Sequence, residues 1–148
     1  MTQALTESPV IRTQPADPAA APTVEADAAL TDFAVEIEHE GAWVRACRYA
    51  DLIPGRGAAV LLGTAQAAVF RDRAGRVYAV QNYDPFSASF VISRGILGSR
   101  GSRMVVASPM YKQAFDLLTG ECLDEDTAPD GTPARLRVWA VRFAPLGG

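Results

Sequence analysis

The sequence predicts an all-β domain, an antiparallel sandwich or barrel of short strands preceded by a disordered N-terminal leader. From Trp43 onward, short segments rich in Val, Ala, Leu and aromatic residues alternate with Gly and Pro turn signals, and no long amphipathic helix interrupts them. Residues 1–37, by contrast, are rich in Ala, Pro, Thr and acids and hold few large apolar side chains. At 148 residues, 49% of them hydrophobic, the chain can bury one modest core.

The predicted leader spans residues 1–37 and the predicted folded domain residues 38–148. Within the leader the alternation of Phe33, Val35 and Ile37 is typical of a strand, but residues 38–40 do not continue it convincingly. We therefore expect deletion of residues 1–35 to leave the melting temperature nearly unchanged, because a disordered segment buries little. Any helical period in the leader is interrupted by Pro9, Pro15, Pro18 and Pro22.

The first half of the domain contains four predicted strands, at residues 43–47, 58–62, 67–72 and 76–80. A turn separates the first two, where Pro54 fixes a backbone angle and Gly55 allows unusual ones. The second and third strands form a hairpin around Gly63, and the fourth follows a turn at Gly75. The last three strands are therefore expected to be adjacent and antiparallel.

Three further strands complete the predicted sheet, at residues 102–108, 113–117 and 135–143. In the last of them, Leu136, Val138 and Ala140 alternate with Arg137, Trp139 and Val141, which predicts one dry face and one amphipathic face. The run at residues 126–133 is expected to be a turn or an exposed loop.

Charge is divided unevenly along the chain. Residues 1–42 hold eight acids and one base, Arg12, whereas the remainder holds nine acids and thirteen bases, so the first part is near −7 and the body near +4. Twelve of those thirteen bases are Arg, which suits bidentate contacts with carboxylates or phosphates. They are scattered, however, and we do not expect a nucleic acid partner. They form either an ordinary solvated surface or a match for an acidic protein.

The residue inventory predicts no catalytic or metal site in this chain. With His39 as the sole histidine, neither a Ser–His–Asp nor a Cys–His catalytic set can form. Cys47 and Cys122 stand far apart and are expected to be small core residues. The chain also lacks a phosphate-binding G-x-x-x-x-G-K motif. No apolar stretch is long enough to span a bilayer and no signal segment opens the chain, so we expect a cytoplasmic protein without a membrane partner.

Two stretches carry a family resemblance. VYAVQNYDPFS is followed about twenty residues later by VVASPMYKQAFDLLTGECL, and together they resemble the two cluster-binding loops of Rieske iron–sulfur proteins. The resemblance places Asp84 and Phe86 at the family's Cys-x-His, and Ser108 and Tyr111 at its Cys-x-x-His. A Rieske cluster needs two Cys and two His, which a chain with one His cannot supply. The prediction is therefore a Rieske-like fold without a cluster or any other metal.

Over residues 43–143 the chain is also similar to the small subunit of NAD(P)H-dependent assimilatory nitrite reductase. The most diagnostic features are DPF in place of Cys-x-His and the Ser/Tyr second loop. The resemblance implies a heteromeric enzyme whose large subunit carries FAD, sirohaem and an iron–sulfur cluster and reduces nitrite to ammonium with NADH or NADPH. It implies that this chain is a non-catalytic subunit that binds the large subunit and holds no cofactor.

The two loops are the expected contact surface for that partner, since loops on a rigid scaffold commonly carry function. Phe86 and Tyr111 are candidate anchors. Alternatively, both side chains fill the space that a cluster would occupy, and the basic residues are simply solvated. Asp84 is expected to cap a turn by accepting hydrogen bonds from backbone amides. The candidate basic rim consists of Arg94, Arg100, Arg103 and Lys112.

Two other functions remain open. A free-standing Rieske ferredoxin that passes electrons to an oxygenase would have the same frame and size, but the missing ligands count against it. A cluster-less Rieske-fold interaction module for another redox enzyme is the second alternative, because a fold does not by itself determine the partner.

Overall fold

The computed structural model describes residues 11–12 and 30–147. The disorder predicted for the leader falls mostly on residues outside these ranges. Within them, no helix is long and apolar enough to cross a membrane. The chain there forms two short 3-10 turns, Tyr49–Asp51 and Ile92–Arg94, and thirteen strands: β1 Ile11–Arg12, β2 Phe33–His39, β3 Ala42–Arg48, β4 Gly57–Leu62, β5 Ala65–Arg71, β6 Val77–Gln81, β7 Tyr83–Asp84, β8 Ser89–Phe90, β9 Ile96–Arg100, β10 Arg103–Ala107, β11 Ala114–Asp116, β12 Val138–Trp139 and β13 Val141–Pro145.

The strands form three main antiparallel sheets, which confirms the predicted all-β class. The first sheet has the order β1-β13-β2-β3, the second β12-β6-β5-β4 and the third β11-β10-β9, while β7 and β8 form a separate small hairpin. As predicted, β4, β5 and β6 are adjacent and antiparallel. Strands β7, β8 and β9 were not predicted; β7 and β8 have two residues each, and β9 is an edge strand with a largely exposed side-chain pattern.

The second sheet lies between two apolar cores, so both of its faces are buried. In β5, Ala67 and Val69 face the core shared with the first sheet, and Ala68 and Phe70 face the core shared with the third sheet. All four are 0% exposed, as expected of a strand covered on both sides. We call these the first core and the second core. The second core underlies the two loops singled out by the sequence.

Strand β2 corrects the predicted boundary between leader and domain. It crosses residues 37 and 38 and pairs with β13 on one side and β3 on the other, with Val35 and Ile37 0% exposed. Leu30, at 3%, also belongs to the first core. The folded domain therefore begins no later than Leu30, and deleting residues 1–35 would remove three of the seven residues of β2.

The alternation that seemed to stop at residues 38–40 in fact continues. His39 shares the inward face with Ile37, and its ring meets Trp139 edge-on at 6.5 Å between centroids. The hairpin to β3 then closes through Glu40 and Gly41, whose φ angles are 53° and 83°. Two residues with positive φ make the tight turn that matches the twist of a hairpin. The apparent break is therefore the turn after the strand.

The last predicted strand is two strands in different sheets. β12 pairs with β6 in the second sheet, and β13 pairs with β2 in the first. Ala140 lies between them, and its carbonyl accepts a hydrogen bond from Glu38 N–H at 3.1 Å. Both faces of this segment contribute to packing: Trp139 and Val141 belong to the first core, and Leu136 to the second. The predicted dry face, Leu136, Val138 and Ala140, is buried or half-buried, and the predicted amphipathic face combines exposed Arg137 with buried Trp139 and Val141; the prediction of a single strand is wrong.

Candidate functional site

Two loops meet at one end of the third sheet. Loop 1 is residues 83–90, the β7–β8 hairpin, and loop 2 is residues 108–113, between β10 and β11. Loop 1 is closed by a hydrogen bond from Ala88 N–H to Asp84 O at 2.8 Å, and loop 2 by one from Lys112 N–H to Ser108 O at 3.0 Å. Ala88 and Lys112 both have positive φ, 55° and 67°, which lets each short loop turn back on itself.

Asp84 joins the two loops through its side chain. Its carboxyl group accepts hydrogen bonds from the backbone N–H of Phe86 at 2.8 Å, from Ser87 Oγ at 2.9 Å and from Ser108 Oγ at 2.5 Å. Asp84 is 0% exposed and Ser108 1%. The predicted turn cap at Asp84 is therefore confirmed. The bond to loop 2 was not predicted, since nothing in a single sequence pairs positions 24 residues apart.

The two aromatic candidates lie in different environments. Phe86 is half-buried and packs on the second core, with its ring centroid 6.1 Å from that of Phe115. It thus follows the space-filling alternative. Tyr111 is 62% exposed, and so is much of Met110 beside it, at 51%. Loop 2 therefore presents an apolar tip to solvent, of which only Tyr111 was among the candidates.

The candidate basic rim divides into two groups. Arg94 and Lys112 are exposed and make no ion pair within the described part of the chain. Arg100 pairs with Asp124 through two contacts of 2.7 and 3.3 Å, and these bonds lower the pKa of the Asp124 carboxyl group.

Arg103 belongs with Arg100 in the second group. It pairs with Asp116 at 3.2 Å. Arg100 and Arg103 face each other at the end of the β9–β10 hairpin, five residues from Ser108 and so roughly 16 Å away along an extended strand. They do not share the surface of loop 2.

The residues at the loop junction do not fit an iron–sulfur cluster. At the positions that the sequence resemblance assigns to two thiolates, Asp84 and Ser108 bond to each other. At those it assigns to two imidazoles, the Phe86 ring is packed inward and the Tyr111 ring is exposed. Elsewhere in residues 30–147, no group of three or more His, Cys, Asp or Glu side chains is placed to hold a metal. The junction therefore lacks the Cys and His ligand set of a Rieske cluster.

The remaining candidates for chemistry lie away from both loops. Cys47 is on β3 opposite Val35, and burial, with a smaller contribution from Asp51, raises the pKa of its thiol to about 11. Such a thiol is almost fully protonated near neutral pH and is a poor nucleophile. His39 packs on Trp139 in the first core. Cys47 and Cys122 are both half-buried and pack against the first and second cores, in line with the core positions predicted for them.

The fold and the loops define a class of protein. The profile of the family described as Rieske-like [2Fe-2S] domain matches residues 42–145, a range that contains both loops. The chain therefore belongs to the family of Rieske-like domains.

Individual relatives narrow this class. The Escherichia coli K12 protein named nitrite reductase (NADH) small subunit is 39% identical over 85 residues, which cover 57% of this chain and 79% of that protein. A crystal structure described as that of an NADH-dependent nitrite reductase small subunit from Mycobacterium tuberculosis is 45% identical, with a TM-score of 0.59, and the match covers 70% of this chain and 94% of that one. The chain belongs to the family of nitrite reductase small subunits.

A third relative is a much larger protein. The Klebsiella oxytoca protein named nitrite reductase [NAD(P)H] large subunit is 39% identical over 94 residues, which cover 62% of this chain and 9% of that protein.

Proposed function

We propose that this chain is the small, non-catalytic subunit of an assimilatory nitrite reductase that uses NADH or NADPH. A large subunit with FAD, sirohaem and an iron–sulfur cluster reduces nitrite to ammonium, and this chain assists by binding it. The observation that carries the proposal is the loop junction, because Asp84 and Ser108 bond to each other at positions where a cluster would need ligands. A domain with these groups contributes through contacts and not through electron transfer.

The Klebsiella oxytoca protein supports the choice of partner. In that protein a segment similar to this chain forms part of the polypeptide named as the large subunit. Two domains of one polypeptide stay at a high effective concentration relative to each other, whereas separate chains must bind to reach the same arrangement. We therefore expect this chain to associate with a separate large subunit.

Loop 2 is the proposed contact surface. Its tip exposes Met110 and Tyr111, two residue types that are enriched in the buried centres of protein interfaces. Lys112 and Arg94 add positive charge that is not neutralised within the described residues. The Asp84–Ser108 bond holds the loop in place, so less conformational freedom is lost on binding. Arg100 and Arg103 are assigned to structural ion pairs.

The test is co-purification of the tagged chain with the large subunit, followed by nitrite-dependent oxidation of NADH or NADPH. We expect the wild-type pair to elute together and Tyr111→Ala to weaken the complex about tenfold or more, as for an interface hot spot. The matched control is Leu61→Ala, which truncates a 71%-exposed apolar side chain on β4. Absence of any complex between the wild-type chains would refute the proposed function.

A further inference from the structure

A small cleft lies beside loop 1, apart from the Asp84–Ser108 junction. It has a volume of about 200 Å³ and opens between the start of β5, the end of β6, the β7–β8 hairpin and β12. The lining residues that matter here are Gln66, Gln81, Tyr83, Phe90, Arg137 and Trp139. None of them was singled out as a binding residue by the sequence, because they come from five separate strands or turns.

Aromatic rings form the walls of the cleft. Tyr83 and Phe90 lie opposite each other on β7 and β8, with ring centroids 5.2 Å apart and edge-on packing. Phe90 nevertheless remains 56% exposed. On the other wall, the Arg137 guanidinium group lies 4.8 Å from the ring centroid of Trp139. This cation–π contact positions a positive charge at the mouth of the cleft.

The two glutamine side chains of the cleft have amide oxygens that already accept hydrogen bonds and amide N–H groups that are not paired within the described residues. Gln81 Oε1 accepts a hydrogen bond from the backbone N–H of Arg137 at 3.1 Å, and Gln66 Oε1 accepts one from the side-chain Nδ2 of Asn82 at 3.1 Å. Each glutamine therefore has its amide N–H groups left over. The two glutamines therefore offer donors to a ligand in the cleft, while the hydroxyl groups of Thr64 and Tyr83 can donate or accept.

Arg137 supplies the charged donor of the cleft. It is exposed, lines the cleft and makes no ion pair among the described residues. Because a guanidinium group has donors and no acceptor, a group that brings acceptors and negative charge is favoured here. The indole N–H of Trp139 also lacks an acceptor among the described residues, but it is buried and closed off from solvent.

We propose that this cleft receives an acidic side chain, Asp or Glu, of the large subunit. The inference rests on the proposed function and adds a second anchor to the loop 2 surface. At about 200 Å³ the cleft lies below the roughly 300–1,000 Å³ of small-molecule sites, so it is small for a nucleotide and suits a single side chain. Trp, Tyr and Arg are the residue types that dominate interface hot spots.

The experiment measures the dissociation constant of the complex with the purified large subunit, at low and at moderate salt. Arg137→Gln and Phe90→Ala are each expected to weaken binding about tenfold at low salt. Arg137→Gln should also reduce the salt dependence, because one charge–charge contact is lost. The controls are Arg135→Gln, an exposed arginine two residues away, and Ile53→Ala, which truncates a side chain that is 55% exposed. Both should bind within twofold of wild type.

The outcomes separate this inference from the proposed function. Suppose that the wild-type chain binds the large subunit. If Arg137→Gln and Phe90→Ala then bind as tightly as wild type, the cleft is not an anchor and only the inference fails. The same conclusion follows if Arg135→Gln and Ile53→Ala lose as much affinity as the two cleft variants. If the wild-type chain does not bind, the proposed function fails first. Unchanged near-ultraviolet circular dichroism of each variant ensures that lost affinity is not lost folding.

Discussion

At the scale of single residues, Asp84 is the side chain on which the loop junction depends most. It is fully buried and accepts three hydrogen bonds, one of them from the opposite loop. In a Rieske protein, metal–ligand bonds connect the same two loops. Here a carboxyl group and a hydroxyl group make that connection, which requires no metal.

Asp84→Ala should therefore destabilise the domain strongly. It leaves the buried hydroxyl of Ser108 and the amide of Phe86 without their acceptor, and we expect a loss of about 2–4 kcal/mol in the free energy of unfolding by urea. Asp130→Ala is the matched control, since Asp130 makes the same kind of turn bond to Thr132 but is exposed. That change should cost less than about 1 kcal/mol. Equal effects of the two substitutions would contradict the account of the junction.

Cys47 predicts how stability depends on alkaline pH. Its folded pKa is raised to about 11, so its contribution is fully present below the ordinary thiol value and is lost as pH rises through the folded value. Between pH 8 and 10 the wild-type chain should lose about 1 kcal/mol of stability that Cys47→Ala does not lose. Urea unfolding at both pH values measures this. A parallel loss in Cys47→Ala would show that the thiol is not responsible.

The sequence predicted residue roles that depend on neighbouring residues and missed those that depend on distant ones. The cap at Asp84 follows from local chemistry, since an Asp before Pro at a turn bonds amides one or two residues ahead. By contrast, the divergence of Phe86 and Tyr111 depends on whether a distant ring, Phe115, lies beneath the side chain. The pairing of Arg100 with Asp124 likewise joins residues 24 positions apart. Such contacts arise from the tertiary fold.

At the scale of elements, β2 shows that the domain includes part of the predicted leader. A chain that begins at Leu30 loses the two-residue edge strand β1, which pairs with β13. It should still melt within a few degrees of the full chain, because residues 1–29 hold few large apolar side chains. A chain that begins at Glu36 loses Leu30, Ala34 and Val35, all at most 3% exposed. We expect its melting temperature to fall by more than about 10 °C, since burial of Leu and Val contributes about 1.5–3 kcal/mol each. If the two truncated chains had the same melting temperature, the predicted domain boundary between residues 37 and 38 would stand.

Gly120 is required by the turn after β11. Its φ is +82°, and a Cβ added there would lie 1.9 Å from the carbonyl oxygen of Leu136. Gly120→Ala should therefore cost more than about 3 kcal/mol. Gly131 has a similar φ, +90°, but open space around it, so Gly131→Ala should cost only the backbone strain, about 1 kcal/mol. The difference between the two variants in thermal unfolding isolates the clash, and similar losses would argue against it.

Element prediction succeeded where the signal was local. The β4–β5 hairpin and β6 follow from apolar runs separated by turn residues. The division of residues 138–145 between two sheets was hidden, because apolar side chains face both cores and no Gly or Pro marks the break at Ala140. The strands of loop 1 are too short to give a periodic signal.

At the scale of the whole molecule, the second sheet connects the first sheet to the third sheet and the two loops. Its buried faces hold the first sheet on one side and the third sheet on the other, and the second core reaches Phe86 in loop 1. This packed framework presents exposed Tyr111 and Phe90 on separate loops. An arrangement of this kind is suited to binding a partner with little loss of conformational freedom.

The central claim is that this chain assists a nitrite reductase through contacts and without a metal of its own. The most direct measurement is the rate of nitrite-dependent NADH or NADPH oxidation by the large subunit as this chain is added, before and after the chain is dialysed against a chelator. We predict that the rate saturates at a fixed ratio of the two chains, that chelation makes no difference, and that the chain shows no iron–sulfur absorption. A rate that depends on metal in this chain, or does not respond to the chain, would contradict the account.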